Sequence, residues 1–357
     1  MSGERGVSIP HPAARARLER MRAWVVHRPR RYDPAAWRTE HPLVRTEKPD
    51  PLPGPHEIRI RVSACGVCRT DLHLAEGDLP PRRPDTLPGH EIVGTVDMVG
   101  TECQRFAAGD RVGIAWLRYT CGECRWCLRH RENLCPSARF TGWDADGGYA
   151  EFAVVDERFA YRIPDTFDDE HAAPLLCAGI IGFRALRLAD CPPGGRLGIY
   201  GFGASAHLAA QVARHQGADI YVFTRSAHGK ELARELGASF VGDPNTPPPQ
   251  PLDAAVIFAP SGDIVPAALA ALDRGGTVAI AGIHLTAIPQ LDYVDALFGE
   301  RVLRSVTANT RADGEEFLRI AAEAKVVVAT SPYPFDAADR ALTDLAAGRV
   351  RGAAVLC

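Results

Sequence analysis

The stretch Leu197-Gly198-Ile199-Tyr200-Gly201-Phe202-Gly203-Ala204-Ser205-Ala206 reads as an apolar strand, a glycine turn and the start of a helix. Gly201 permits the tight turn, Gly203 lets backbone approach a pyrophosphate, and Ala206 is small enough for close helix–strand contact. The N-terminus of the helix attracts phosphate charge. A G-x-G-x-x-A run means little alone and much more inside a βαβ frame. The flanking sequence supplies that frame. Pro192-Pro193-Gly194-Gly195 is a turn ahead of the strand. Ala204–Gln216 reads as helix, Ile220–Thr224 as strand, Lys230–Gly237 as helix, Ala254–Ala259 as strand and Ile264–Leu272 as helix. Thr277–Ala281 and Leu303–Thr307 read as further strands, and proline-rich Pro244–Pro251 as a surface loop. Strands alternating with helices imply a parallel sheet.

The candidate dinucleotide contacts are therefore Gly201, Phe202, Gly203, Ala204, Ser205 and Ala206. At the end of the second strand an NAD site places Asp or Glu on the ribose 2′-hydroxyl. This chain has Thr224-Arg225-Ser226 there, with no carboxylate. A guanidinium pairs bidentately with a 2′-phosphate, so Thr224 and Arg225 favour NADP(H) over NAD(H).

Upstream the pattern changes. From residue 22 to about 180 the chain reads as short strands joined by Gly/Pro turns, with little helical periodicity. Glu57–Val62 alternates polar and apolar as a half-buried strand does, and Ile92–Val99 and Gly148–Val155 are further strand candidates. The first strand is expected near Arg22–His27. Eight arginines and only two acids, Glu4 and Glu19, fall within the first 31 residues. That start resembles a transit peptide in composition but has no apolar run for secretion; residues 1–21 read as a solvated arm.

Within this β-rich part lies Cys121-Gly-Glu-Cys124-Arg-Trp-Cys127, followed by Cys135. Four thiolates at this spacing can close a tetrahedral shell around one zinc ion, which leaves no open position for a substrate. This cluster reads as structural. Disulfides or unrelated thiols are the bland alternatives. The chemistry should lie elsewhere, and a second set of residues offers it: Cys65-Gly-Val-Cys68-Arg69-Thr70-Asp71-Leu-His73, then Gly89-His90-Glu91, then Leu175-Leu-Cys177-Ala-Gly179. A lone His or Cys is usually a packed core residue, and Cys65-x2-Cys68 could be a redox pair. Two thiols and one imidazole with an open fourth position would instead make a catalytic zinc site.

Bulk composition narrows the field. At 357 residues the chain suits two domains. Hydrophobic residues are 46% and charged residues 24%, an ordinary soluble balance. A net charge of −3 gives no footprint for nucleic acid, and no apolar run approaches a membrane span. Ten cysteines are too dilute for a secreted disulfide scaffold. They read as reduced thiols in a cytoplasmic setting, several of them holding metal.

Taken together, Gly-Val-Cys68-Arg-Thr-Asp71, Gly89-His90-Glu91-x2-Gly94, the Cys121/Cys124/Cys127/Cys135 lobe, Leu-Cys177-Ala-Gly and the dinucleotide turn resemble the zinc-dependent medium-chain alcohol dehydrogenases. They run in that family's order across nearly all of the chain beyond the N-terminal arm. The resemblance implies an α/β protein: a GroES-like β-rich catalytic domain, residues 22–181 and 314–357 with the structural zinc lobe at 116–136, plus a Rossmann-type doubly wound domain over 182–313. It implies that Cys68, His90 and Cys177 hold a catalytic zinc, for two zinc ions per chain. Asp71 would fix the tautomer of His90, Thr70 would receive the alcohol proton, and His73 would pass it on. Arg69 would touch the cofactor pyrophosphate, and Glu91 would stand as a carboxylate beside the metal. The family also suggests homodimers or homotetramers.

Some positions depart from the family. Ile181 stands where many relatives carry Thr near the nicotinamide, and Ala353 follows Gly348-x3-Gly352 where many carry Arg, with Arg351 adjacent. Ala75 and Leu79 replace two tryptophans of ethanol-adapted relatives, so longer or aromatic substrates are expected to fit, with Trp116 as one wall. The reading is thus a zinc-dependent oxidoreductase moving hydride between a small-molecule alcohol and NAD(P). The alternatives are a mainly NADPH-dependent aldehyde or ketone reductase, and a non-enzymatic zinc protein that binds a partner through the lobe.

Overall fold

The computed structural model describes residues 19–357. The arm at 1–18 lies outside the described residues. The first strand starts at Arg20, two residues before the expected position, because Arg20 and Met21 already pair with Pro49 and Lys48. That strand, β1 (Arg20–Val26), forms an antiparallel ribbon with β2 (Leu43–Pro49).

Two larger sheets carry the rest. One holds β3 (Glu57–Val67), β4 (Ile92–Val99), β5 (Arg111–Ile114), β8 (Phe152–Asp156) and β9 (Ala160–Arg162). The C-terminal strands β16 (Thr330–Tyr333) and β17 (Ala353–Leu356) complete it in the order β16-β17-β3-β4-β5-β9, with β8 also on β3. The end of the chain therefore returns to the first sheet, Leu356 pairing with Cys65. A small ribbon, β6 (Leu117–Tyr119) with β7 (Arg139–Phe140), flanks the four-cysteine lobe.

The other sheet has six strands: β10 (Arg196–Tyr200), β11 (Asp219–Phe223), β12 (Phe240–Gly242), β13 (Leu252–Ile257), β14 (Leu272–Ile280) and β15 (Val302–Ser305). All pairings are parallel, in the order β12-β11-β10-β13-β14-β15. Counting from β10 this is 3-2-1-4-5-6, the doubly wound order whose ligand crevice opens where the order reverses, between β10 and β13.

Seven helices of two turns or more matter here: α1 (Arg69–Glu76), α2 (Ala178–Ala189), α3 (Ala204–His215), α4 (Ala227–Glu235), α5 (Ile264–Ala270), α6 (Arg311–Glu323) and α7 (Ala338–Ala346). The sequence pattern anticipated α3, α4 and α5 within a few residues at each end. It gave no sign of α2. Ile180, Gly182, Phe183, Arg184, Ala185 and Leu186 are all buried and only Arg187 is exposed, so polar residues mark little of its surface. Its glycines serve packing. A Cβ at Gly179 would lie 2.3 Å from the Phe317 ring of α6, and one at Gly182 would lie 3.1 Å from the Ser205 carbonyl of α3. No single helix among the described residues is long and apolar enough to cross a membrane.

Candidate metal centre and dinucleotide turn

Three separate elements deliver the first cluster. Cys68 precedes α1, His90 and Glu91 precede β4, and Cys177 precedes α2. The ligand atoms of Cys68, His90, Glu91 and Cys177 all lie within 4.8 Å of one another. Cys68 and Cys177 sulfurs stand 3.7 Å apart. Two thiolates at about 2.3 Å from one tetrahedral zinc stand roughly 3.8 Å apart, whereas a disulfide needs about 2.05 Å.

His90 provides a second test of fit. It is 1% exposed, and both ring nitrogens are buried without a hydrogen-bond partner. Nδ1 lies 3.4 Å from Asp71 Oδ1, close but outside good hydrogen-bond geometry. His207, equally buried in α3, shows the usual arrangement: Nδ1 faces the Gly203 carbonyl at 3.2 Å and Nε2 faces the Ala329 N–H at 3.3 Å. An orphaned buried imidazole costs free energy unless something else satisfies it. A divalent ion shared with two sulfurs would satisfy Nε2, leaving Nδ1 to the Asp71 carboxylate.

The charges agree. The hydrogen bond with Cys177, followed by the His90 ring, holds the Cys68 thiol well below its ordinary range. That same contact with Cys68, together with burial, pushes Cys177 up. Two adjacent thiolates cannot both ionise there without a cation. Burial, then the Cys68 charge, pushes the Glu91 carboxyl well above the usual range. Glu91 fits only because residue 66 is glycine, where a Cβ would sit 1.8 Å from Glu91 Oε2.

Asp71 is 2% exposed and accepts from several donors. Its Oδ2 takes the Cys68 N–H at 2.9 Å and the Tyr149 hydroxyl at 3.4 Å, and its Oδ1 takes the Gly89 N–H at 3.0 Å. The sequence reading gave Asp71 one partner, the imidazole. In the fold it mainly ties the Cys68 loop to the His90 loop. Tyr149, which no motif marked, is fully buried behind it.

Thr70 and His73 share one helical face at i and i+3. Thr70 is 7% exposed with Oγ1 3.8 Å from Cys68 Sγ. His73 is half-buried, its Nδ1 3.3 Å from Asp78 Oδ2 and its ring 5.8 Å from that of His284. Trp116 meets the His90 ring edge-on at 4.8 Å and stacks with Phe140 and Trp143. Cys65 is buried and outside this cluster, its sulfur beneath Gly89 and Gly148.

The four-cysteine lobe is equally tight. Cys121 and Cys135 sulfurs are 3.5 Å apart, Cys124 and Cys127 3.6 Å, and Cys121 and Cys127 4.0 Å. All ten cysteines are free of disulfides. The Cys127 N–H draws Cys124 down to about 7, while burial, then Cys124 itself, pushes Cys127 up to about 12.

At the reversal point of the parallel sheet, Gly201 has φ +86°. A Cβ there would lie 2.8 Å from the Ala259 backbone, so the turn closes against the loop after β13. Gly203 faces open space within 4 Å, and the first turn of α3 has no side-chain cap. Its N–H groups are left to a ligand, as a pyrophosphate cradle requires. Ala206 is fully buried, Thr224 is buried, and Arg225 is exposed beyond the end of β11. Arg69 is exposed at the start of α1.

Comparison with known proteins now decides the lineage. Residues 54–165 match the alcohol dehydrogenase GroES-like domain and residues 206–323 the zinc-binding dehydrogenase domain. The probable alcohol dehydrogenase AdhA of Mycobacterium tuberculosis is 56% identical over 94% of this chain and 97% of its own length. The chain belongs to the zinc-dependent medium-chain alcohol dehydrogenase family. Solved members of similar shape include a cobalt- and zinc-bound thermostable alcohol dehydrogenase from Pyrobaculum aerophilum, with TM-score 0.83 and 26% identity over 95% of this chain and 100% of that one. Another is CAD from Helicobacter pylori complexed with NADP(H), with TM-score 0.83 and 25% identity over 94% and 97%. The GroES-like and Rossmann-type halves of this family member are its seven-stranded and six-stranded sheets.

Proposed function

We propose that the chain is a zinc-dependent, NADP(H)-preferring alcohol dehydrogenase, with Cys68, His90 and Cys177 as ligands of its catalytic zinc. The observation that carries this reading is the 3.7 Å sulfur pair beside an imidazole with no other partner. When bound, the zinc supplies Lewis-acid polarisation of the substrate oxygen and the nicotinamide supplies a hydride acceptor or donor. Thr70 takes the alcohol proton and His73 carries it toward solvent past Asp78. Asp71 holds the Cys68 and His90 loops in register, and Glu91 keeps a neutral carboxyl against the ligands. Trp116, backed by Phe140 and Trp143, forms the flat wall on which an aryl or longer chain rests. Cys121, Cys124, Cys127 and Cys135 hold a second, structural zinc.

The turn from Gly201 to Ala206 receives the pyrophosphate, with Arg69 reaching it from the other half. Thr224 and Arg225 receive the 2′-phosphate. Support for NADP(H) comes from the exposed guanidinium where a carboxylate would serve NAD. Residues 22–181 with 314–357 act as the catalytic unit and 182–313 as the cofactor unit. A homo-oligomer built on the free edge of β15 fits the exposed apolar residues Tyr293, Val294, Phe298 and Val302 around it. Ten unpaired cysteines fit a reducing, cytoplasmic setting.

A screen of primary, secondary and aromatic alcohols, and of the matching carbonyls, with NAD and NADP tests the reading. Turnover with NADP of an aryl or long-chain alcohol and two zinc ions per chain are expected. One zinc and no turnover in either direction would leave a lobe that binds a partner. Arg225→Asp should shift the preference from NADP to NAD by roughly tenfold or more, the loss of one bidentate phosphate contact.

A further inference from the structure

The four-cysteine lobe does more than enclose a metal. Between its third and fourth cysteines lie Glu132 and Asn133, both polar and both about 5% exposed. Each reaches across to the other half of the molecule. Asn133 Nδ2 donates to the Thr307 carbonyl at 2.9 Å, and Glu132 Oε1 accepts the Arg311 N–H at 3.0 Å and approaches Arg311 Nε at 3.5 Å. These bonds bracket the crossover from β15, the last strand of the cofactor sheet, to α6. The first turn of α6 packs on the catalytic sheet, where Gly314 leaves no room for a Cβ against Tyr161 of β9. Midway in the bracket, Ala308 holds φ +46°. A residue with a Cβ pays for that left-handed backbone and relaxes out of it unless held.

A third contact extends the clasp. Asp313 is 1% exposed, accepts from Arg184 at 2.5 Å and from Arg187 at 3.2 Å, and so fixes α6 to α2. Cys177 immediately precedes α2 as its N-cap residue.

From this arrangement we infer that Glu132 and Asn133 are positioning residues: they hold the Ala308 turn in its left-handed form and so set the cofactor sheet against the metal centre. The inference rests on the reading that the six-stranded half holds a nicotinamide dinucleotide. The lobe is thereby a strut between the halves, acting on cofactor placement through backbone and not through substrate contact.

Glu132→Ala is the test, with NADPH as probe. Its dissociation constant, read from protein fluorescence, should rise roughly tenfold, the loss of one charge-assisted hydrogen bond. KM for the cofactor should rise more than kcat falls, and zinc content should stay at the wild-type value. Glu132→Gln keeps an acceptor for the Arg311 N–H and should restore most of the affinity. Ala308→Gly, added to Glu132→Ala, should also restore it, because glycine adopts the left-handed turn without being held. That remote rescue would not follow if Glu132 only stabilised the lobe. An unchanged dissociation constant in Glu132→Ala overturns the inference, as does a loss that Ala308→Gly cannot recover. Wild-type protein that binds neither NADPH nor NADH sinks the cofactor reading instead.

Discussion

Both cysteine clusters bring four ligand groups within 4.8 Å of one another, yet they are built in opposite ways. In the lobe, Cys121 and Cys135 are only 14 residues apart, and short 3-10 turns close the loop. In the other cluster, Cys68 and Cys177 are 109 residues apart and arrive on different elements. The lobe needs little more than its own loop. The other cluster exists only when the first sheet, α1 and the start of α2 have all formed. Around a bound ion the lobe's four sulfurs would close a shell, whereas two sulfurs and an imidazole would leave a position open. One site should therefore answer mainly to stability and the other mainly to turnover.

The largest separation should come from single ligand exchanges. Cys68→Ser should lower turnover about a thousandfold or more, since metal polarisation is worth several kcal/mol. Zinc analysis should then find the lobe's ion still present, with little change in melting temperature. Near-normal activity in that variant would move the metal chemistry elsewhere. Cys124→Ser should do the reverse, lowering Tm by on the order of 10 °C through loss of a structural metal, with kcat within a few-fold for the molecules still folded.

Next in size is Asp71→Asn. The amide nitrogen cannot accept from the Cys68 or Gly89 N–H, so zinc affinity at the open site should drop about 10- to 100-fold, measured by competition with a chelator. Zinc loss from the lobe instead would break the distinction between the sites. Tyr149→Phe removes only a 3.4 Å bond to Asp71, and should cost turnover about threefold, at the lower end for one hydrogen bond.

A last effect, on stability alone, concerns His207, the buried histidine of α3. Burial lowers the pKa of His207 below its ordinary 6.5, so the folded chain keeps the ring neutral. Below that pH the unfolded chain takes up a proton that the folded chain refuses. Stability is therefore complete above pH 6.5 and falls on acidification, by up to about 1.4 kcal/mol per pH unit. Urea unfolding at about pH 7.5 and about pH 5.5 should show that slope, and His207→Gln should flatten it. A slope unchanged by the substitution would assign it to other groups.

How much of this could be read from the chain follows from the same contrast. The lobe was legible because its ligands are neighbours and its spacing alone reports the geometry. The dinucleotide turn was legible because Gly201 and Gly203 answer local backbone demands. The open cluster needed the family's ordering of motifs, since nothing about Cys177 alone separates it from Cys65 or Cys191. Tyr149 left no sign: the sequence places it in a strand over Gly148–Val155, whereas the strand starts at Phe152 and Tyr149 lies in the bend before it, its hydroxyl on Asp71. Helix α2 left none either, since with nearly all of it buried its polar residues are few. The further partners of Asp71, the Cys68 and Gly89 N–H groups, left no sign for a related reason: backbone N–H groups carry no sequence signature. Nothing in the sequence separates Glu132 from the charged residues around it or marks Asn133, yet the fold buries both against the crossover.

Helix α2 has one more consequence. The same rigid rod starts directly after Cys177 and presents Gly182 to α3 little more than a turn later. Any substitution that pushes those two helices apart, even by one methyl group, would swing the sulfur as a lever swings its tip. A substitution at Gly182 is therefore expected to disturb the Cys68–Cys177 spacing along with the packing of α2 on α3.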